Sequence, residues 1–251
     1  ENNHAANKTW VWTYDRAGNI QTRAEYAYTT ASLEGVTPDD TVNYTYGDEN
    51  WGDLLTAYDG VTISYDRIGN PLSDGTWTYT WEHGRELASM TDGTTTWTYT
   101  YNADGMRTQR TNGTATYKYI YNGSSLVQMT VGNDTLYFTD ATVTYNNTVY
   151  YYVKNIQGDI VAILNSSGTA VVQYTYDAWG NCFEDSTSIV PLSVAINPFR
   201  YRGYYYDRDL KLYYLNSRYY DSNTGRFLNA DTTEILEKTK GTVLGANLFA
   251  Y

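Results

Sequence analysis

Threonine and aromatic residues alternate along much of this chain. Thr76–Trp81 reads Thr-Trp-Thr-Tyr-Thr-Trp, and Thr96–Tyr101 reads Thr-Trp-Thr-Tyr-Thr-Tyr. Successive side chains of a β-strand point to opposite faces, so this alternation predicts strands with rings on one face and hydroxyls on the other. Residues 136–176 are richer in Val, Ile and Leu, and they predict the most conventional part of the hydrophobic core.

A turn motif with the pattern Tyr-Asp-x-x-Gly-Asn recurs between these stretches. Its three copies are Tyr14, Asp15, Gly18 and Asn19; Tyr65, Asp66, Gly69 and Asn70; and Tyr176, Asp177, Gly180 and Asn181. The Asp can close an Asx turn, and the glycine permits a positive φ. Shorter turns such as Asn112-Gly113 alternate with the motif, so the sequence predicts a continuous antiparallel meander of hairpins.

The composition supports the all-β prediction. The 251 residues include 29 Tyr, 37 Thr and 21 Asn, and charged residues make up only 18%. The net charge of −11 argues against a nucleic-acid-binding surface and a polybasic membrane anchor. No apolar run is long enough to span a membrane. The single cysteine, Cys182, excludes an internal disulfide framework.

The aromatic face poses a problem for a conventional core. Buried Tyr and Trp rings need partners for their hydroxyl and indole N–H groups. We therefore expect a broad sheet with one semi-polar face. This sheet should curve around an interior that the sequence does not identify, and it is favoured over a dry sandwich of two sheets.

A second tyrosine-rich pattern occupies residues 197–251. Its marked positions are Tyr206, Asp207, Arg218, Tyr219, Tyr220, Asp221, Gly225 and Arg226. Together with the upstream motifs, this block closely resembles the core-associated segment of the Rhs/YD-repeat family. The resemblance covers the chain faintly at residues 21–60 and with high specificity from about residue 171 onward.

The resemblance implies a β-shell spiralled from hairpins, a fragment of a larger cocoon. Bacterial members enclose a C-terminal toxin polypeptide, and the eukaryotic teneurins use the shell as an adhesion scaffold. We expect residues 1–196 to form the shell sheet and residues 197–251 to continue the same sheet as the terminal block. The chain is expected to stop before the family's cleavage segment and toxin domain.

The first functional hypothesis is a structural carrier without enzymatic activity, secreted or displayed on a bacterial cell surface. Its expected partners are the remainder of its own shell and the toxin cargo, and exposed sheet edges could also pair with further chains. No cofactor, metal or nucleic acid is expected. A second hypothesis is adhesion or carbohydrate binding through exposed rings, with Trp77 and Trp97 as the positions to test.

A third hypothesis is an aspartic autoprotease that releases the cargo. The resemblance aligns Asn229-Ala230-Asp231-Thr232 with the family's Ser-x-Asp-Pro step and thus marks Asp231 as a catalytic candidate. An aspartic protease needs two carboxylates that share a proton, and the sequence offers no assured second one. A turn or helix-capping role for Asp231 is therefore favoured.

Other candidate residues favour structural roles. His4 and His83 have no metal-ligand spacing around them, and Cys182 has no paired histidine. The acidic pairs Asp39-Asp40 and Asp48-Glu49 lack calcium-loop spacing and suit solvated turns. Residues 233–241 are the one predicted helix, with threonine at its start and glycine at its end.

Overall fold

The protein is described by a computed structural model that covers residues 1–186, 197–231 and 247–251. These residues form antiparallel β-sheets, which confirms the all-β prediction. Their only helical segment is a 3-10 turn at Tyr201–Gly203. The helix predicted over 233–241 lies outside the described residues.

The chain begins with a sheet of six strands in sequential order. Its strands are β1 (Asn2–Asn3), β2 (Lys8–Tyr14), β3 (Ile20–Ala27), β4 (Asp40–Thr45), β5 (Ala57–Tyr58) and β6 (Val61–Thr62). The first motif turn connects β2 to β3, and these two strands pair from Lys8 opposite Ala27 to Tyr14 opposite Ile20.

The main wall is a sheet of fourteen strands, also in sequential order. Its strands are β7 (Ser64–Tyr65), β8 (Pro71–Ser73), β9 (Thr78–Glu82), β10 (Glu86–Thr91), β11 (Thr96–Tyr101), β12 (Arg107–Thr111), β13 (Thr116–Asn122), β14 (Ser125–Val131), β15 (Asp134–Phe138), β16 (Thr142–Tyr145), β17 (Thr148–Lys154), β18 (Ile160–Leu164), β19 (Ala170–Tyr176) and β20 (Cys182–Ser186). Every neighbouring pair is antiparallel, as the predicted meander requires.

A separate sheet of four strands follows. Its strands are β21 (Tyr205–Asp207), β22 (Leu212–Tyr214), β23 (Tyr219–Asp221) and β24 (Arg226–Phe227). We expected this block to continue the wall, but it forms a second layer instead. Its strands have no solvent face to offer, because all three residues of β22 are buried. The division into domains at residue 196 stays a prediction.

The motif turns have the predicted geometry. Asp15 Oδ1 accepts hydrogen bonds from the Ala17 and Asn19 backbone amides at 2.8 and 2.9 Å, and Gly18 has φ +83°. Asn19 also donates its side-chain amide to Asp15 Oδ2 at 3.0 Å. The same set of bonds recurs around Asp66 and around Asp177. The motif therefore encodes a turn in which the Asp side chain at the start and the Asn side chain at the end are hydrogen-bonded to each other.

Aromatic side chains link successive motif turns. Each donates its hydroxyl or indole N–H to a backbone carbonyl that lies earlier in the chain. The pairs are Tyr46 to Ile20 (3.0 Å), Tyr65 to Leu55 (3.0 Å), Trp81 to Pro71 (2.7 Å), Tyr101 to Leu87 (3.1 Å), Tyr121 to Arg107 (3.0 Å) and Tyr176 to Ile160 (2.6 Å). In four of these pairs the acceptor immediately follows an Asx turn: Ile20 and Pro71 follow full copies of the motif, and Arg107 and Ile160 follow turns that Asn102 and Asn155 close in the same way. The ring thus packs inward while its polar group holds the preceding turn.

The two faces of the wall differ as the alternation predicts. Hydroxyls on the outer face pair across strands, as in Thr80 with Ser89 at 2.7 Å and Thr100 with Thr108 at 3.2 Å. The inner face is drier than we expected. Trp97 is 4% and Tyr119 is 4% exposed, and they share one core with aliphatic residues such as Leu136 and with rings of the four-stranded sheet. The expected semi-polar face is buried because the terminal block covers it.

The six-stranded sheet meets the far end of the wall. Asn3 donates its side-chain amide to the Tyr176 carbonyl at 3.3 Å, and Glu1 accepts from the Ala178 amide at 3.0 Å. The rings of Trp12 and Trp179 lie 6.4 Å apart at the same junction. The first six strands and the last wall turn therefore close around the terminal block.

The hydrogen bonds from aromatic side chains to earlier backbone carbonyls predict a measurable loss of stability when one hydroxyl is removed. Tyr121→Phe keeps the ring but leaves the Arg107 carbonyl without its donor, so we expect a loss of about 1–2 kcal/mol in the free energy of unfolding. The matched control is Tyr137→Phe, because the Tyr137 side chain is 53% exposed. Denaturant unfolding of the two variants measures the difference, and equal stability would contradict the proposed role of the hydroxyl.

The buried tyrosines also predict alkaline unfolding. Burial raises the pKa of Tyr46, Tyr174 and Tyr206 to about 12, above the ordinary value of 10.0. The unfolded chain ionises first, so stability is complete below about pH 10 and falls as the pH rises above it. Denaturant unfolding between about pH 8 and about pH 11 should show this decline. A flat profile over that interval would be inconsistent with neutral buried phenols.

Candidate functional site: the terminal plug under the wall

Residues 197–231 and 247–251, here called the terminal plug, bind the three full copies of the motif. At the first copy, Asn19 Oδ1 accepts hydrogen bonds from Arg226 Nη1 at 3.1 Å and from Asn247 Nδ2 at 2.7 Å. At the second copy, the Gly69 carbonyl accepts from the Ala230 amide at 3.3 Å. These motif turns therefore bind the plug as well as connecting strands.

The third copy receives three tyrosine hydroxyls of the plug. Tyr201, Tyr220 and Tyr213 donate to consecutive backbone carbonyls, those of Ala178 (2.9 Å), Trp179 (2.7 Å) and Gly180 (2.7 Å).

Two glycines permit this contact between the third motif turn and the plug. A Cβ on Gly180 would lie 2.6 Å from the Tyr201 ring, and one on Gly225 would lie 2.9 Å from the Trp179 ring. Gly180 also has φ +90° and Gly225 has φ +69°, so only glycine suits either position.

A buried ion pair joins the plug to the centre of the wall. Arg107 of β12 contacts Asp207 of β21 through Nη1–Oδ2 at 2.5 Å and Nη2–Oδ1 at 3.2 Å, and both side chains are fully buried. Arg110, on the same strand, reaches Asp207 Oδ1 at 3.0 Å and Asp209 Oδ2 at 3.0 Å. One plug carboxylate is thus held by two guanidinium groups of the wall.

Aromatic rings from both layers surround Arg107. Its guanidinium carbon lies 4.3 Å from the Tyr214 ring centre, 4.9 Å from Tyr119 and 5.1 Å from Tyr205. Burial alone would lower the pKa of Arg107, but the Asp207 carboxylate and the surrounding tyrosines raise it overall. The charge is therefore stabilised inside the core by its partner and by ring faces.

Asp231, the catalytic candidate, lies at the edge of the plug. Its Oδ2 contacts Arg218 Nη2 at 3.0 Å, and its backbone amide donates to the Leu248 carbonyl at 2.9 Å. Arg85 of the wall donates to the neighbouring Ala230 carbonyl. A cleft of about 270 Å³ is lined by Asp231, Arg218, Arg85 and Ala230 together with Glu86 and Asp104. One partner of the Asp231 carboxylate is a guanidinium, and a catalytic role for Asp231 stays a prediction from resemblance.

The remaining marked tyrosines of the terminal block pack against other rings in the core. Tyr219 and Tyr220 are buried in β23, Tyr206 packs on Tyr213 at 4.7 Å, and Tyr220 stacks on Tyr251 at 4.3 Å. In the first motif copy, by contrast, the Tyr14 side chain is 49% exposed.

Several other candidates can now be placed. The Cys182 thiol is partly buried, and this desolvation raises its pKa to about 11 and disfavours the reactive thiolate. His83 pairs with Glu86 at 3.0 Å on the surface. Within the described ranges, no cluster of His, Cys, Asp and Glu could hold a metal ion. Trp97 lies under the Arg110 guanidinium at 4.4 Å, so its ring face is already occupied.

The sequence reasoning missed both arginines of β12. A signal was present: β12 reads Arg-Thr-Gln-Arg-Thr, without the aromatic residues of the strands beside it. An arginine at an inward position of an aromatic face predicts a buried carboxylate partner, and the terminal block offers Asp207. Asn247 and Arg85 also bind across the two layers, but the sequence around them shows no comparable pattern.

The fold and its seated plug define a segment of a YD-repeat β-shell. A family model described as Teneurin YD-shell matches residues 135–251. The crystal structure of TcdB2-TccC3-TEV superposes with a TM-score of 0.65 at 18% identity, covering 97% of this chain and 13% of that one. The Photorhabdus luminescens Tc holotoxin pore gives the same TM-score of 0.65 and identity of 18%, covering 97% of this chain and 12% of that one.

Two curated relatives from Bacillus are similar along nearly the whole chain. The tRNA3(Ser)-specific nuclease WapA of Bacillus spizizenii is 36% identical over 268 residues, covering 96% of this chain and 10% of the relative. The tRNA nuclease WapA of Bacillus subtilis strain 168 is 36% identical over 260 residues, with the same coverage of 96% and 10%. The chain belongs to the Rhs/YD-repeat family and spans about a tenth of the length of these relatives.

Among the residues that the structure describes, no helix is long and apolar enough to cross a bilayer.

The buried ion pair predicts a large and local stability effect. Asp207→Asn keeps the side-chain size but leaves two buried guanidinium groups without their carboxylate, so we expect a loss of about 3–5 kcal/mol in unfolding free energy. The control is Asp140→Asn, which breaks the surface pair with Lys154 and should cost about 0–1 kcal/mol. Comparable losses in the two variants, measured by denaturant unfolding, would show that Asp207 does not anchor the plug.

Proposed function

We propose that this chain is the closing segment of a longer secreted shell that holds and delivers a toxin polypeptide. The observation that carries the proposal is the terminal plug, which covers the inner aromatic face and binds all three full motif turns. A plug fixed at so many separate points suits the end of a container.

The relatives support the same proposal from another direction. They are named tRNA nucleases, yet this chain matches about a tenth of their length. We infer that this chain contributes shell and no catalytic group, and that any nuclease activity of such a parent lies in another region. Its partners are then the rest of the shell and the enclosed polypeptide, and its place is outside the cell or on the cell surface.

The carbohydrate-binding alternative loses Trp97, one of its two proposed contact residues, and the other, Trp77, is partly buried against the core. That side chain is 4% exposed and lies beneath Arg110. A sugar-stacking site requires an accessible ring face beside a few placed polar groups. Exposed tyrosines such as Tyr137 and Tyr151 lie on the outer face, where the neighbouring strand β16 presents threonines. Nothing in their arrangement favours a sugar site over an ordinary outer surface.

Protease protection in the full parent protein tests the carrier function. The cargo polypeptide inside the intact parent should resist proteinase K under conditions that degrade the same polypeptide expressed alone. Asp207→Asn in the parent should make the cargo more sensitive because the plug loses its central anchor.

The control is the parent with Asp140→Asn, which leaves the plug anchor intact. Equal digestion of the free cargo and the cargo within the unmodified parent would refute encapsulation.

A further inference from the structure

The six-stranded sheet and the wall are separated by a junction at residue 63, here called the seam. β6 ends the first sheet and β7 ends the wall, and among the described strands these two are not paired with each other. The strands around the seam are also short. β5, β6 and β7 have two residues each, and β8 pairs with β9 only at Ser73 opposite Thr78. Short pairings open at a low free energy, so backbone hydrogen bonds alone hold this part of the shell weakly.

The Phe249 ring of the plug bridges the seam. Its centre lies 5.3 Å from the ring of Trp51, in the connection between β4 and β5, and 6.1 Å from the ring of Tyr65 in β7. One side chain therefore packs on both the first sheet's side and the wall's side of the seam. Phe249 is 2% exposed and shares a small core with Leu54 and Leu248. Apolar packing thus joins the two sheets at a place where strand pairing does not.

Both rings that Phe249 contacts also bind across the seam themselves. Tyr65 of β7 donates its hydroxyl to the Leu55 carbonyl, in the connection between β4 and β5, at 3.0 Å. Trp51 packs over the second motif turn, since a Cβ on Gly69 would lie 2.7 Å from its ring. The positions of these two rings therefore decide whether the two sheets stay together, and Phe249 packs on both rings.

Residues 247–251, here called the strap, hold Phe249 in this position. Asn247 donates its side-chain amide to Asn19 Oδ1 at 2.7 Å, and its own Oδ1 accepts from the Phe249 amide at 3.0 Å. The Leu248 and Phe249 carbonyls accept from backbone amides of the plug at 2.9 and 3.0 Å. None of the described pairings within the four-stranded sheet involves the strap. The strap can therefore leave its place without breaking that sheet.

We propose that the strap is a latch for the seam. While Phe249 is bound, it fixes Trp51 and Tyr65 and the seam stays closed. When the strap leaves, the short strands β5–β8 open locally and the rest of the wall keeps its structure. The opening is selective because the small core around Phe249 is separate from the large core under the centre of the wall. The latch uses residues of this chain alone, so it does not depend on the proposed carrier function.

Hydrogen–deuterium exchange of the full parent protein, followed by mass spectrometry, tests the latch. Phe249→Ala removes the ring that bridges the seam, so exchange in residues 56–74 should accelerate at least about tenfold. Peptides from this segment contain amides that are bonded across the short strands, such as that of Ile63. Residues 116–131, in β13 and β14, should exchange at the rate of the unmodified protein.

The matched control is Phe199→Ala, the same change in a plug ring that packs on Phe138 at 5.1 Å in the large core. It should leave exchange in residues 56–74 unchanged. Phe249→Leu keeps an apolar side chain but loses the ring contacts, so it should accelerate the same segment by a smaller factor even if Phe249→Ala does not fold. Unchanged exchange in residues 56–74 of a folded Phe249 variant would overturn the latch. Equal acceleration in residues 56–74 and 116–131, or acceleration at the seam by Phe199→Ala, would overturn it as well.

Discussion

A tyrosine inside a β-shell must bury its ring and still give its hydroxyl an acceptor, and this constraint shapes the whole molecule. The rings face inward from strands. Within a sheet the backbone groups already bond to neighbouring strands, so they leave no acceptor for a side-chain hydroxyl. The carbonyl just after an Asx turn is one acceptor that the repeat itself provides. Tyr121 and Tyr176 use it within the wall, and the pattern repeats because each hairpin supplies both the donor and the next acceptor.

The terminal plug extends the same solution to a second layer. Its tyrosines donate to the carbonyls of residues 178–180, which belong to a motif turn. The aromatic core is therefore continuous from wall to plug, and its polar atoms are largely paired across the boundary. A Phe-rich plug of the same shape would bury similar area but would leave those carbonyls without donors, at a cost for each.

Local rules predicted the wall but not the second layer. Alternation and turn chemistry act over a few residues, so the strands, their antiparallel order and the Asx turns followed from the sequence alone. The placement of residues 205–227 in a separate sheet depends on contacts between positions about a hundred residues apart, such as Arg107 with Asp207. For the same reason the aromatic face was expected to be semi-polar. Its cover comes from a distant part of the chain.

A repetitive wall creates a problem of register that the buried ion pair resolves. Similar turns recur along one edge, so a plug held only by tyrosines and apolar rings could seat one repeat away at little cost. Among the described wall strands, β12 alone carries buried arginines. Displacement by one hairpin would leave Asp207 facing aromatic rings and both guanidinium groups unpaired, a penalty of several kcal/mol. We interpret the Arg107, Arg110 and Asp207 cluster as the element that selects a single seat for the plug among many similar ones.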